Sequence, residues 1–223
     1  MNFNLSKFKK NNDFFYFYLP LYIIIIAGSY VIIKMYLIRK KLKELLNQNY
    51  QNSNKMASFE EAQKIVAKIE GGYQNMKNDP GNWTGGKVGV GKLVGTKYGI
   101  SAPTLKNYLG REITEQDMRN LDYETAKIIY KKNYWDKIRG DQLKNQSIAN
   151  LIYQTAVHFG VNGALNLIKR ATGVNYTPEY VNSLNEQQQK EYFEKIKNEL
   201  IRVYSKSRWA EGFLRRLKYF DFI

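Results

Sequence analysis

The feature that most constrains this chain is an uncharged run of twenty residues, Phe14 to Ile33. About twenty apolar residues are enough to cross a bilayer as one helix. The run is apolar on every face, whereas a surface helix of a globular domain shows one apolar stripe. Tyr16, Tyr18 and Tyr22 near one end, and Tyr30 and Tyr36 near the other, suit the two membrane interfaces. Lys34 is long enough to reach water from the far end. The run lacks a clear small-x-small cleavage site of the kind that ends a signal peptide. The sequence therefore predicts a basic tail over 1–13, a transmembrane helix over 14–38 and a polar linker over 39–57. Within that linker, the Asn- and Gln-rich residues 47–54 read as a flexible tract.

Charge complicates the orientation of such a span. Lys7, Lys9 and Lys10 precede it, and Lys34, Arg39, Lys40, Lys41 and Lys43 follow it. The positive-inside rule then favours a cytoplasmic C-terminal side. The whole chain carries +15, which favours polyanionic partners such as nucleic acid, anionic lipid or an anionic cell wall. Cysteine is absent, which excludes disulfides, thiol chemistry and thiolate metal sites.

Beyond residue 57 the pattern is helical. Ser58-x-x-Glu61 predicts a capping box, with Ala62, Ile65, Val66 and Ile69 following at helical spacing. Gly71-Gly72 then supplies a glycine stop in the left-handed conformation. Residues 73–100 are dense in glycine and read as loop or short hairpin. Thr114-x-x-Asp117 opens a further helix, and residues 122–134, 146–159 and 162–171 carry more. Ile148, Leu151, Ile152, Thr155 and Phe159 mark one buried face, and Tyr192, Ile196, Leu200 and Val203 another. Phe213, Leu214 and Leu217 suggest a last short helix. The fold class is mainly α, with one glycine-rich lobe.

Glu70 stands at the predicted helix end, just before Gly71-Gly72. The negative end of a helix dipole disfavours a carboxylate and raises its pKa, as partial burial also does. A raised pKa suits a general acid, although an ordinary surface glutamate fits the same pattern. Asp79, in Asn78-Asp79-Pro80-Gly81, is either a turn residue or a second carboxylate holding a water. Thr96 is a candidate helper for that water, or simply a strand former. Tyr73, Trp83, Tyr98 and Trp135 are candidate sugar-stacking rings, against a plain packing role. His158 is the single histidine and reads as a polar residue packed at a helix end.

Three stretches together resemble glycoside hydrolase family 108. They are Ile69-Glu70-Gly71-Gly72-Tyr73, Asp79-Pro80-Gly81, and Gly95-Thr96-Lys97-Tyr98-Gly99-Ile100-Ser101. Ala126 to Tyr130 and Tyr134-Trp135-Asp136 match the end of the same module. Residues from about 137 on resemble the helical domain that usually follows it and is thought to bind peptidoglycan. The resemblance implies a lysozyme-like helical fold, with a catalytic module over 58–136 and a second helical module over 137–223. It implies N-acetylmuramidase activity on peptidoglycan, a phage endolysin-like setting, Glu70 as catalytic acid, and no metal or cofactor. Asp79 and Thr96 follow by similarity to phage-type lysozymes. Gln154 to His158 departs from the Asp-x-x-Val-Asn usual in relatives.

Rival expectations are a lytic transglycosylase on the same substrate and a non-catalytic, membrane-anchored wall-binding protein. Nucleic-acid binding is not expected, since no binding motif accompanies the charge. A span adds a lipid membrane as partner. It places the enzyme in a virion's internal membrane, with other virion proteins, or in a host inner membrane facing the wall.

Overall fold

The computed structural model describes residues 19–68, 71–207 and 210–223. The chain divides into two compact units, Met1–Lys55 and Met56–Ile223. The described part of the first unit is one long helix, α1 (Leu19–Asn54). Its described side chains are exposed throughout, Ile23 to Ile26 and Leu45 to Leu46 among them. The expected linker over 47–54 is thus helical: residues 34–54 hold no proline or glycine to end α1.

Among the described residues no helix is long and apolar enough to cross a membrane. The expected span over 14–38 is therefore not supported there, and residues 14–18 of it lie outside the described residues. The described uncharged part of α1 runs from Leu19 to Ile33 and stops at Lys34. At about 1.5 Å per residue that is roughly 22 Å, short of the ~30 Å hydrocarbon core.

The second unit is built from helices α2 (Phe59–Ala67), α3 (Ala102–Leu109), α4 (Glu115–Asn120) and α5 (Tyr123–Tyr130). They are followed by α6 (Gln146–Thr172), α7 (Pro178–Ser183), α8 (Glu186–Tyr204) and α9 (Ala210–Leu217). A π-turn, Lys131–Trp135, extends α5. Among the described residues only isolated bridges occur in place of strands.

Polar side chains start most of these helices. Thr114 and Asp117 form the predicted capping box on α4, and Asn185 with Gln188 forms another on α8. Asn145 caps α6 through the Ile148 amide at 2.9 Å. The capping box predicted at Ser58 does not form. Instead the Ser58 amide donates to Gln146 Oε1 at 2.7 Å, and Gln146 Nε2 returns a bond to the Ser58 carbonyl at 3.1 Å. A partner far along the chain thus replaces the local one.

The core joins residues 58–136 and 137–223 in one compact unit. α2 packs on α6, and α6 on α8. Ile148, Leu151, Ile152 and Thr155 are buried as their spacing predicts, and Phe159 is half-buried. On α8 Tyr192, Ile196 and Leu200 are buried with Phe193 and Tyr204, while Val203 sits at the margin. Gly160 bends α6 at φ 73° and ψ 161°, a conformation essentially open to glycine alone. The two helical patterns read on either side of it are the two arms of this bend.

His158 lies just before that bend. Its ring meets Phe159, Phe213 and Tyr204 edge-on, at centroid distances of 4.6, 4.7 and 5.3 Å. Burial, with a smaller push from the Arg216 charge, lowers its pKa to about 4. The folded protein therefore holds His158 neutral, whereas the unfolded chain takes up the proton near pH ~6.5. This contribution to stability is full above that pH and is lost as pH falls towards 4. Urea unfolding between pH 7 and pH 4 should show the parent losing stability faster than His158→Gln, by a slope of about one proton. Equal slopes for both proteins would refute this.

Candidate active site

The glycine-rich lobe folds by hydrogen bonds between segments that no periodicity links. Gln74 and Thr96 exchange backbone bonds, Gln74 N–H to Thr96 O at 2.9 Å and Thr96 N–H to Gln74 O at 2.8 Å. The Tyr98 amide donates to Gly71 O at 3.1 Å. Residues 71–74 therefore run beside residues 96–98. The 83–93 segment closes as a small hairpin, with Trp83 bridging Leu93 and Thr84 N–H donating to Lys92 O. This agrees with the loop-or-hairpin reading.

Asp79 and Thr96 come together at the base of this lobe. Asp79 Oδ1 accepts from the Gly81 amide at 2.8 Å and Oδ2 from Gln74 Nε2 at 3.0 Å. Thr96 Oγ1 donates to Asn82 Oδ1 at 2.6 Å. Asn82 is wholly buried, and its Nδ2 donates to Gln74 Oε1 at 2.8 Å and to Met76 O at 2.9 Å. Gln74 Nε2 also donates to Asn82 Oδ1 at 3.0 Å. Every polar atom of these two amides is thus satisfied, as a buried amide requires. Sequence reasoning missed Gln74 and Asn82. Neither residue type marks chemistry, and their partners lie at irregular separations along the chain.

Glu70 lies outside the described residues. α2 ends at Ala67, with Lys68 still in right-handed helical geometry. Neither Gly71 nor Gly72 takes a left-handed φ, so the expected glycine stop is not formed. The Tyr98 amide holds Gly71 against the 96–98 segment.

The aromatic candidates divide. Trp135 is fully buried, with Nε1 donating to Asp141 Oδ1 at 2.7 Å, and so offers no face to a sugar. Its indole meets Phe59 and Tyr153 edge-on at 5.9 and 5.7 Å. Tyr73 is half-buried beneath the Arg119 guanidinium, 3.9 Å from its ring centroid. Its hydroxyl donates to Glu115 Oε1 at 2.9 Å. Burial first, then Glu115, raises the Tyr73 pKa. Tyr98 has φ 51°, uncommon for a residue with a side chain, and forms a tight turn with Gly99. Its carbonyl accepts from Tyr130 OH at 3.0 Å, and its ring packs on Tyr123 at 5.7 Å. Trp83 is half-buried and anchored through Nε1 to Lys77 O at 2.9 Å.

A surface hollow of about 630 Å³ lies elsewhere, lined by Asn185, Glu186, Gln187, Lys190, Phe222 and Ile223. It holds neither Asp79 nor Thr96. Among the described residues no cluster of His, Asp and Glu is suited to a metal.

The second unit is mainly helical, consistent with a lysozyme-like α fold, and its glycine-rich lobe carries the Asp79–Thr96 cluster. Residues 62–160 match the family model described as Glycosyl hydrolase 108, a span that includes position 70 and the whole Gln74–Asp79–Asn82–Thr96 cluster. The chain is accordingly a glycoside hydrolase acting on peptidoglycan. Among solved structures it is similar to one titled "Structure of Brucella abortus SagA". That likeness has a TM-score of 0.55 at 21% identity and covers 72% of this chain and 90% of that chain. It is a likeness of fold. No curated protein matches the chain.

The two tryptophans should separate in a stability test. Trp135→Ala removes a ring from the centre of the core and should cost about 3–5 kcal/mol. Trp83→Ala, at the lobe surface, should cost less than about 1 kcal/mol. Denaturant unfolding of both variants measures this, and comparable losses would contradict the assignment of Trp135 to the core.

Proposed function

We propose that the enzyme is an N-acetylmuramidase that hydrolyses the β-1,4 bond between N-acetylmuramic acid and N-acetylglucosamine. Glu70 protonates the leaving oxygen, and Asp79 with Thr96 holds the water that attacks the anomeric carbon. The observation that carries this reading is the convergence of Asp79 and Thr96 on one hydrogen-bonded cluster, beside the segment that follows position 70. Trp83 and Tyr98, at the surface of the lobe, are the rings left to contact sugars, and Tyr73 supports the lobe from beneath Arg119. The basic surface favours retention on an anionic wall.

Glu70→Gln should abolish clearing of purified walls, a loss of at least about a hundredfold, with the melting temperature kept. Clearing at the parental rate would rule Glu70 out. Mass spectrometry of the parent's products should show reducing muramic ends. Ends of the 1,6-anhydro type would make it a lytic transglycosylase.

The reading extends to attachment. The uncharged run from Phe14 anchors the enzyme, in a virion's internal membrane or in a host inner membrane with the enzyme facing the wall. The phage setting rests on the resemblance of the catalytic stretches, and residues 137–223 would add wall binding. The full chain should co-sediment with phosphatidylglycerol vesicles in high salt, whereas residues 56–223 should stay in the supernatant. Co-sedimentation of neither, or of both equally, would remove the anchor.

A further inference from the structure

The hairpin of the glycine-rich lobe grows directly from the cluster that holds Asp79 and Thr96. Asn82 O accepts from the Val94 and Gly95 amides at 2.9 and 3.1 Å, and Thr84 N–H donates to Lys92 O at 2.9 Å. Further out, Gly85 N–H donates to Val90 O at 3.1 Å and Val90 N–H to Lys87 O at 3.0 Å. The two arms touch closely. A methyl group on Gly85 would meet Val90 Cγ1 at 2.5 Å, and one on Gly91 would strike Thr84 Oγ1. Thr84 is buried between them. The hairpin is thus a packed, hydrogen-bonded finger.

Val88 and Val90 stand at its tip, 54% and 49% exposed. A single exposed valine needs no explanation. Two within three residues of a turn do, since turns favour glycine, asparagine and aspartate. Lys87 and Lys92 flank them, both exposed, and among the described residues neither is within ion-pair distance of a carboxylate. The tip therefore presents methyl groups between two cations.

Peptidoglycan offers a complement to that pattern. Its muramic acid carries, on a lactyl ether, a short peptide stem rich in alanine and bearing carboxylates. The distances agree as well. At about 3.3 Å per residue, the arm from Asn82 to Val88 extends at most about 20 Å from the cluster. A stem of about five residues reaches at most about 18 Å beyond its sugar.

We infer that the finger tip, Val88 and Val90 with Lys87 and Lys92, holds the peptide stem of the wall, so that the enzyme selects stem-bearing strands over bare glycan. The inference rests on the hydrolytic reading above. Alanine methyls pack on the two valines, and stem carboxylates face the two lysines. Trp83, at the base of the finger, follows Asn82 directly, so sugar and stem meet one continuous segment. The contact is remote from the bond that breaks, and it acts on KM more than on kcat.

The test uses the full chain and two substrates: purified glycan strands with their stems, and the same strands after an amidase has removed them. The parent should cleave stem-bearing strands with kcat/KM about tenfold higher than bare ones. Val88→Ser combined with Val90→Ser should raise KM about tenfold on stem-bearing strands and change rates on bare strands less than about twofold. Val90 also packs on Gly85, so Val88→Ser alone guards against a disturbed hairpin; it should still raise KM about threefold. Val88→Leu keeps an apolar tip and should keep the preference. Lys87→Glu should lower kcat/KM on stem-bearing strands about threefold, an effect that fades in high salt.

A parent that cleaves both substrates equally well would overturn the inference and leave the hydrolytic reading standing. Parental rates of the double variant on both substrates, as a finger that touches lipid would give, would also overturn it. So would equal losses on both. A parent inactive on both would instead overturn the hydrolytic reading, and the inference with it.

Discussion

The packing of the Trp135 indole between Phe59 and Tyr153 is the contact on which the enzymatic unit depends. It joins α2, the π-turn after α5, and α6, elements drawn from widely separated parts of the chain. Large rings dominate core energetics, and edge-on pairs add to the area they bury. Tyr153 also donates to Gln63 on α2, so the same ring fixes both packing and polar register. The start of α2 is then tied to α6 again through Ser58 and Gln146.

The lobe itself has almost no helical or strand ladder to stabilise it. Its order comes from satisfied polar groups, with Asn82 at the centre and no exposure to water. A buried amide left unpaired is costly, so the network forms as a whole or not at all. On the proposed function, the same network holds the Asp79 carboxylate and the Thr96 hydroxyl in place. Rigid second partners fix reacting groups more tightly than loops alone do. Tyr98 adds a second restraint: its positive φ is a strained conformation, and bonds from Tyr98 N–H to Gly71 and from Tyr130 to its carbonyl hold it there.

Much of the helical part was legible in the sequence. The Thr114–Asp117 capping box, the buried face of α6 and the break near Gly160 all follow from local pattern. Elsewhere local rules misled. Ser58 has the residues of a capping box, yet Gln146 takes its backbone groups because α6 packs against α2. Gly71-Gly72 reads as a left-handed stop, yet Gly72 is not left-handed, and Gly71 is instead bonded by the Tyr98 amide. Residues 47–54 read as linker, yet continue α1, since polar composition alone does not break a helix. Trp135 reads as a sugar platform from its neighbours in the chain, yet the π-turn rotates it into the core.

The sequence by itself determined the helical class, most of the helix faces and the residue types available for acid–base chemistry. Those are consequences of periodicity and side-chain chemistry, which act over a few neighbouring residues. Only the tertiary structure decided that Asp79 and Thr96 join one hydrogen-bonded cluster through Gln74 and Asn82, and that Trp135 is core. Each of those depends on contacts between segments brought together by burial of the core and by pairing of buried polar groups. Spacing along the chain carries no record of such contacts.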